Sequence, residues 1–341
     1  MYNYKYNAKR LVRKLNFKTT DGLMRHLREN GISISGSTQK RQLINTGYFH
    51  GYKGYRFFKT SNKQIPFVDY NDVYATIKYD SDLKSLFYGK IMFIETAVKN
   101  IALNRIMIDS NSENIQDMLN RVVAGYNSFP VGTDAATKKI YQTKKLNLEN
   151  SIQSSLLKAY RQDNPQITHF YNNMGYNGVP LWALFEILTL GDFANLLSCL
   201  RFSTRDNITN DLGMKVISID TNRELIYRYL YLLKDLRNAV AHNSVVFDTR
   251  FRKFDPSKAM KKCLQAEFNL PYVNFGTIGD YLVLICYYLN LLKVSKTEMK
   301  ALIRDFEKIT TVYKNSVNPL VANMVIHPDF SSRLQTLKNS I

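Results

Sequence analysis

The chain has few of the residues that build disulfide frameworks and loop-rich β-sandwiches. Its 341 residues include 3 cysteines, 15 glycines and 8 prolines. Cys199, Cys263 and Cys286 are far apart, odd in number and never part of a Cys-x-x-Cys pair. This spacing argues against both a disulfide framework and a thiolate zinc site. Unpaired cysteines suit a reducing compartment, so we predict a cytoplasmic protein.

Long hydrophobic runs are also missing. The most apolar window, 281–292, is shorter than the roughly 20 residues that a membrane-spanning helix needs, and the polar, basic start is unlike a secretory signal. The sequence contains no G-x-x-x-x-G-K-S/T loop, no G-x-S-x-G elbow and no set of residues at metal-ligand spacing. We therefore expect no membrane partner, no cofactor and no metal.

Acidic residues are scarce relative to basic ones. There are 47 Lys+Arg and 28 Asp+Glu, which gives a net charge of +19 at pH 7. Because a surface that only needs solubility mixes both signs, this excess predicts a polyanionic partner. We favour RNA over duplex DNA, since no module that reads the major groove is recognisable, and over an anionic membrane surface.

Aromatic residues lie among the basic ones, most densely in the aromatic-basic segment, 48–59. Cations neutralise phosphates and aromatic rings stack on unpaired bases, so this segment is a candidate RNA contact. The candidate residues are Tyr48, Tyr52, Lys53, Tyr55, Arg56 and Lys59. The alternative is a packed aromatic cluster that anchors the N-terminal lobe to the rest of the protein.

Hydrophobic periodicity predicts an all-α fold. Apolar residues recur at three- and four-residue steps from about 71 to 107, as in a long amphipathic helix. Further helices are predicted at 22–30, 39–44, 115–123, 138–160, 181–200, 222–243, 277–292 and 297–313, with another starting near 255–257. The stretch 46–66 has strand-like or irregular character. We predict a basic, mostly helical N-terminal lobe at 1–69, a helical domain at 70–315 and a tail at 316–341 that packs on the bundle.

The predicted helix at 222–243 carries a concentration of polar groups near its end. Asp235, Asn238 and His242 fall within about 60° of one another around the helix and roughly opposite its apolar stripe. Arg237 is about 100° from Asn238, within reach of its long side chain. The helix therefore presents a carboxylate, an amide, a guanidinium and an imidazole together.

This set suits cleavage of RNA without a metal. Histidine exchanges a proton near neutral pH, so His242 can take the proton of a ribose 2′-OH or donate one to the leaving 5′-oxygen. Arg237 can stabilise the charge that develops on the phosphorane, and Asn238 can orient His242 or the phosphate. Asp235 could pair with either charged residue. The alternative is an exposed histidine beside an ordinary Arg–Asp surface pair.

The string RNAVAH at 237–242 resembles the R-N-x-x-x-H signature of HEPN ribonuclease domains, which are found in toxins, abortive-infection proteins and RNA-targeting CRISPR effector nucleases. This resemblance implies a HEPN-type helical bundle and a catalytic role for Arg237, Asn238 and His242.

Other segments resemble the Abi-like family of phage-defence proteins, of the AbiD and AbiF type. GYFHGYKGY at 47–55 is similar to its NYYRLxGY segment, YDSDL at 79–83 to YxFDRxLR, and PLWALFEILTLG at 180–191 to PxWxxxExLxFG. Ile94-Glu95 resembles the family's IE stretch. Ser81 stands where a basic residue often follows the family's FD, and IHPDF at 326–330 replaces a C-terminal Gly-Phe-Pro-x-x-Trp. Glu95 and Glu186, acids within predicted apolar helices, are expected to support the site by pairing with Arg237 or with another cation.

The resemblance implies a ribonuclease toxin of bacterial anti-phage defence, restrained or guided by a bound non-coding RNA. A non-catalytic RNA-binding protein is the main alternative, and a DNA-binding regulator a weaker one. Only one such motif occurs in the chain, so we predict a homodimer with a composite site. The alternative is a monomer in which Arg228 or Lys234 completes the site.

Overall fold

The predicted all-α fold is confirmed. The computed structural model describes residues 19–126, 129, 131–175, 178–215 and 218–341, so the basic start of the chain lies outside the described residues. Within these ranges the only β-pairing is a few isolated bridges, and no helix is long and apolar enough to cross a membrane. The helices are α1 Thr20–Glu29, α2 Gly36–Tyr48, α3 Tyr70–Ser110, α4 Ile115–Val122, α5 Ala135–Arg161, α6 Pro165–Met174, α7 Leu181–Ile187, α8 Leu190–Cys199, α9 Phe202–Asp211, α10 Leu225–Ala241, α11 Lys258–Phe268, α12 Ile278–Leu291, α13 Lys296–Ser316, α14 Pro319–Val325 and α15 Phe330–Ser340.

The long helix α3 is the central support of the fold. Its 41 residues begin after Asp69, whose side chain accepts the Asn71 N–H, and end before Asn111, which has the left-handed conformation. One stripe of α3 is fully buried, including Leu83, Phe87 and Ile94. Helices α4, α7, α9, α10, α12 and α13 all contact it, so α3 fixes the position of the helix that carries the histidine motif.

The single helix predicted at 181–200 is wrong, because α7 and α8 are separate helices. Leu188 has an extended backbone between them, and Thr189 caps α8 by accepting the Asp192 N–H at 3.2 Å. Lys99 of α3 donates to the Leu188 carbonyl at 2.6 Å, which satisfies a carbonyl that a continuous helix would use internally. The local signal for this break is the T-x-x-D capping pattern of Thr189 and Asp192 within the apolar run.

Four helices were not predicted: α6, α9, α14 and α15. All four are short, and their sequences are largely polar or lack a long apolar stripe. Helices α14 and α15, at the C-terminal end, pack on α13, and α15 also packs on α11. In α15, Arg333 pairs with the buried Asp280 of α12, and Ser340 donates to the Phe268 carbonyl at 2.7 Å. Apolar residues of this tail, the bundle and the N-terminal lobe share one continuous core.

The described part of the N-terminal lobe contains α1, α2 and a π-helical turn, Phe49–Lys53. Arg250 joins it to the bundle, donating from Nη1 to the Gly54 carbonyl at 2.8 Å and from Nη2 to the Phe57 carbonyl. The Lys59 N–H donates to Asp248 at 2.7 Å. These contacts hold the π-helical turn beside the end of α10.

Candidate functional site

Helix α10 forms as the apolar pattern predicts and ends in a way that exposes His242. Ile226, Leu230, Leu233 and Leu236 are all buried on one face. The Asn243 N–H donates to the Val240 carbonyl at 3.2 Å and the Ser244 N–H to the Ala239 carbonyl at 2.8 Å. With Asn243 at φ 51°, these bonds form a Schellman motif, which makes His242 the C-cap and directs the chain away from the helix.

His242 opens into a cleft of about 770 Å³ between the lobe and the bundle. We call this the His242 cleft. Its lining comes from α10, from the π-helical turn and from the segment after α10; the polar and charged lining residues are His50, Asp235, Asn238, His242, Asn243, Ser244, Arg250 and Lys253. His242, His50 and Lys253 are exposed and Asn238 is half-buried. An anion that enters this cleft can therefore reach an imidazole, an amide and a cation together.

Asp235 lies in the same cleft but is paired with neither Arg237 nor His242. It is buried, with Oδ1 at 2.9 Å from Lys234 Nζ and Oδ2 accepting the Lys253 N–H at 3.2 Å. Arg250 is also engaged, since its Nε lies 2.9 Å from both oxygens of Asp248. The Lys253 ammonium forms no ion pair with any described residue. Lys253 is therefore the cation of the cleft that is available to an anion.

The buried carboxylate of Asp80 holds both walls of the cleft. Its Oδ1 accepts the N–H groups of Val246 and Phe247 at 2.7 and 2.8 Å, just beyond the end of α10. Its Oδ2 accepts the Tyr55 hydroxyl of the lobe at 3.0 Å and lies 2.7 Å from Lys84 Nζ. Burial and the Asp80 charge raise the pKa of Tyr55 well above its ordinary value, so the phenol stays protonated and donates.

Lys84 extends this support to the C-terminal end of α10. Its ammonium also donates to Asn243 Oδ1 at 2.8 Å, next in sequence to His242. The function of Asp80 and Lys84 was not predicted. The available signal was the stretch YDSDLK at 79–84, in which Asp80 and Lys84, four residues apart, lie on the same face of a long helix.

Arg237 faces a second cleft, of about 310 Å³, between α3, α7 and α10. Arg237 and His242 are five residues apart in sequence, which separates their side chains by about 140° around the axis of α10. Arg237 Nε lies 3.6 Å from Glu95 Oε2, and the other Glu95 oxygen lies 3.1 Å from Lys99 Nζ. Glu95 therefore lies between two cations and is closer to Lys99 than to Arg237. Glu186 lines the same cleft but is exposed and forms no ion pair within the described ranges.

Arg228 and Lys234, the residues considered for a monomeric site, are both engaged elsewhere. Arg228 Nη2 lies 2.6 Å from Glu224 Oε2, and Lys234 pairs with Asp235. Neither lines the His242 cleft.

The aromatic-basic segment is mostly packed into the protein. Tyr52 and Tyr55 are 0% and 3% exposed, so their rings are closed to a nucleobase in this structure. Tyr55 stacks on Phe247 with ring centroids 6.1 Å apart. This arrangement agrees with the alternative of an anchoring aromatic cluster.

The basic and peripheral members of the segment differ in their exposure. Tyr48 is half-buried beside His26, Arg56 lies 3.4 Å from Asn30 Oδ1, and Lys59 donates to the Gly276 carbonyl. Burial lowers the pKa of Lys59. Lys53 is exposed and has no ion pair among the residues described, so it is the member best placed to meet a phosphate.

The cysteines have no features of nucleophiles. All three are buried, and burial raises the pKa of each thiol, that of Cys286 to about 12. A thiol is unreactive until it ionises. In the described part of the chain, no three His, Cys, Asp or Glu side chains are grouped so that they could hold a metal ion.

Comparison with known proteins supports the resemblance seen in the sequence. Searches of curated proteins and of solved structures found no match. A family model described as Abi-like protein matches residues 41–248. This range begins in α2 and ends just beyond α10, so it includes Arg237 and His242. This match covers more than half of the chain, which therefore belongs to the Abi-like protein family.

Proposed function

We propose that this chain is a HEPN-type endoribonuclease that acts in abortive-infection defence and cleaves RNA in the His242 cleft. Membership of the Abi-like family suggests the defence role. The observation that carries the catalytic proposal is the exposed C-cap imidazole of His242, which shares an open cleft with Asn238 and the unpaired ammonium of Lys253. The net charge of +19 favours a polyanionic substrate.

The reaction proposed is an internal transfer. The ribose 2′-oxygen loses its proton and bonds to phosphorus, the bond from phosphorus to the 5′-oxygen breaks, and the leaving oxygen takes a proton. Imidazole transfers protons of this kind near neutral pH. Lys253 would offset the charge on the non-bridging oxygens, and Asn238 would hold the phosphate or the imidazole. Because the nucleophile belongs to ribose, the enzyme would cut RNA and spare DNA.

We also propose a homodimer, because Arg237 and His242 of one chain face different clefts. A two-fold axis near the end of α10 would bring Arg237 of a second copy to the His242 cleft. Mixing Arg237→Ala and His242→Ala chains tests this arrangement, since a mixed dimer rebuilds one complete site and should recover activity that neither variant has alone. Sedimentation at micromolar concentration should show a dimer. A monomer whose cleavage activity per molecule is unchanged on dilution would contradict the proposal.

Cleavage can be tested directly with labelled single-stranded RNA in EDTA. We expect products with 2′,3′-cyclic phosphate ends, loss of cleavage in His242→Ala, and no cleavage of DNA of the same sequence. His169→Ala is the matched control, because His169 is an exposed histidine of α6 outside both clefts. Equal activity in the wild type and His242→Ala would refute a catalytic role for His242.

A non-catalytic RNA-binding protein is the second candidate, supported by the same basic cleft. Under this alternative the wild type binds RNA but yields no cyclic-phosphate product, and His242→Ala lowers affinity only. A DNA-binding regulator would instead prefer duplex DNA in the same assay.

We propose that a bound non-coding RNA restrains or guides the enzyme, because a free toxin would damage its own host and the chain is strongly basic. Protein purified from its native cells should carry a nuclease-protected RNA. Purification of an active protein free of RNA would contradict this form of regulation.

A further inference from the structure

We infer that His50 is the second proton-transfer residue of the His242 cleft. This inference rests on the proposed ribonuclease function and identifies the group that completes it. No arginine precedes His50 at the spacing that separates Arg237 from His242, so the local sequence does not mark this histidine. The structure instead places it, on the π-helical turn of the lobe, in the lining of the cleft that contains His242.

The five histidines fall into two groups by their contacts. His26 lies 3.3 Å from the Tyr48 hydroxyl, His169 lies 3.5 Å from Asn173 Nδ2, and His327 contacts Asp329. His50 and His242 are both exposed, and neither ring forms a hydrogen bond or ion pair with any residue that the structure describes. The two imidazoles that have no hydrogen-bond or ion-pair partner among the described residues are thus the two that share a cleft.

The turn that carries His50 is fixed from several sides. A Cβ atom at the neighbouring Gly51 would collide with Thr46 of α2, so the turn packs directly on that helix. The Gly54 N–H donates to the Phe49 carbonyl at 2.8 Å, and the Gly54 carbonyl accepts from Arg250. The His50 ring meets Phe49 edge-on with centroids 5.2 Å apart. This packing holds the His50 backbone at the rim of the cleft.

Two imidazoles balance the reaction within one chain. A neutral imidazole takes the 2′-OH proton as the 2′-oxygen bonds to phosphorus, and a protonated imidazole gives its proton to the 5′-oxygen as that bond breaks. The products are a 2′,3′-cyclic phosphate and a 5′-OH, and the two histidines have exchanged protonation states. Asp235, Arg250 and Lys253 are the other charged groups that line the cleft, with Lys84 behind Asn243. A second copy then contributes Arg237 rather than another imidazole.

The first test is the rate and pH profile of His50→Gln, which keeps a polar side chain of similar size but removes proton transfer. We expect kcat to fall about 100-fold or more and the bell-shaped pH profile of the wild type to lose one limb. His169→Gln should change neither. Wild-type cleavage that depends on His242 but is unaffected by His50→Gln would overturn this inference and leave the proposed function standing. A wild type that cleaves nothing would remove both.

Mixing variants tests whether the two histidines act in the same chain. A mixed dimer of His50→Gln and His242→Ala has no cleft with both imidazoles, so it should stay inactive, whereas the Arg237→Ala and His242→Ala mixture should recover. Recovery by the first mixture would overturn the assignment.

Binding of inorganic phosphate gives a readout that needs no turnover. The ring proton resonances of His50 and His242, assigned with the single variants, should shift together as phosphate is added, while that of His169 should not. A His50 resonance that does not respond when His242 does would overturn the shared site.

Discussion

Replacing Asp80 by Asn should both destabilise the protein and disorganise the His242 cleft. The Asp80 side chain is fully buried and accepts from Tyr55, Val246 and Phe247 while pairing with Lys84 at 2.7 Å. An Asn oxygen can keep the two backbone N–H groups, but the amide nitrogen would then face the Lys84 ammonium. Two donors would oppose each other where a charged pair existed.

The magnitude follows from the burial of Lys84, which is 8% exposed. Leaving one member of a buried ion pair without its partner costs about 3–5 kcal/mol. We take about 3 kcal/mol, because Lys84 keeps its bond to Asn243. With about 2.1 cal/mol/K of unfolding entropy per residue, this loss lowers the Tm of a chain of this length by about 4 °C.

Calorimetry and urea denaturation measure the change, and Asp82→Asn is the matched control on the same helix. Asp82 pairs with Lys78 at the surface, where such a pair contributes less than about 1 kcal/mol. Adding Lys84→Met to Asp80→Asn should restore part of the stability, with a coupling energy above about 1 kcal/mol. The rate of RNA cleavage by Asp80→Asn should be lower than that of the wild type even at temperatures at which the variant is folded. A Tm within 1 °C of that of Asp82→Asn would refute the reasoning.

Three further predictions concern other parts of the molecule. Thr189→Ala removes the cap that accepts the Asp192 N–H and should lower the free energy of unfolding by about 1 kcal/mol in urea denaturation. Thr143→Ala, at an exposed helical site, is the control, and an equal loss in both variants would count against the cap. Lys253→Ala should weaken single-stranded RNA binding and reduce the slope of log K against log salt by about 0.7, while Lys300→Ala on an exposed face of α13 should leave the slope unchanged. Burial protects the three thiols and raises their pKa. Iodoacetamide should therefore modify them in urea but not in the native protein at neutral pH, and rapid labelling of the native protein would contradict this prediction.

Local sequence was sufficient for the class of fold and for the helix that carries the motif. The apolar steps of α3 and α10 depend only on helical geometry, and both helices formed within a few residues of the predicted bounds. The excess of basic residues is likewise a property of composition. The placement of Asn238 and His242 on one side of α10 follows from their spacing, because four residues advance a helix by little more than one turn.

Other features depended on contacts between segments distant in sequence. The break at Leu188 is stabilised by Lys99, 89 residues earlier, and the local signal for it is limited to the capping pattern of Thr189 and Asp192. The burial of Tyr52 and Tyr55 results from packing against α2, α3 and the segment after α10. The sequence pattern of this segment suits stacking on RNA equally well, so it does not predict the burial.

The candidate site itself shows the same division. The sequence of α10 determined which residues are separated by 140° on that helix, but only the packing of α3 decided that Arg237 meets Glu95. The approach of His50 to the His242 cleft spans 192 positions and has no local pattern at all. It arises because Asp80, Asp248 and Arg250 satisfy buried donors and acceptors of the lobe and the bundle together, and such pairing of buried polar groups is a property of the folded chain.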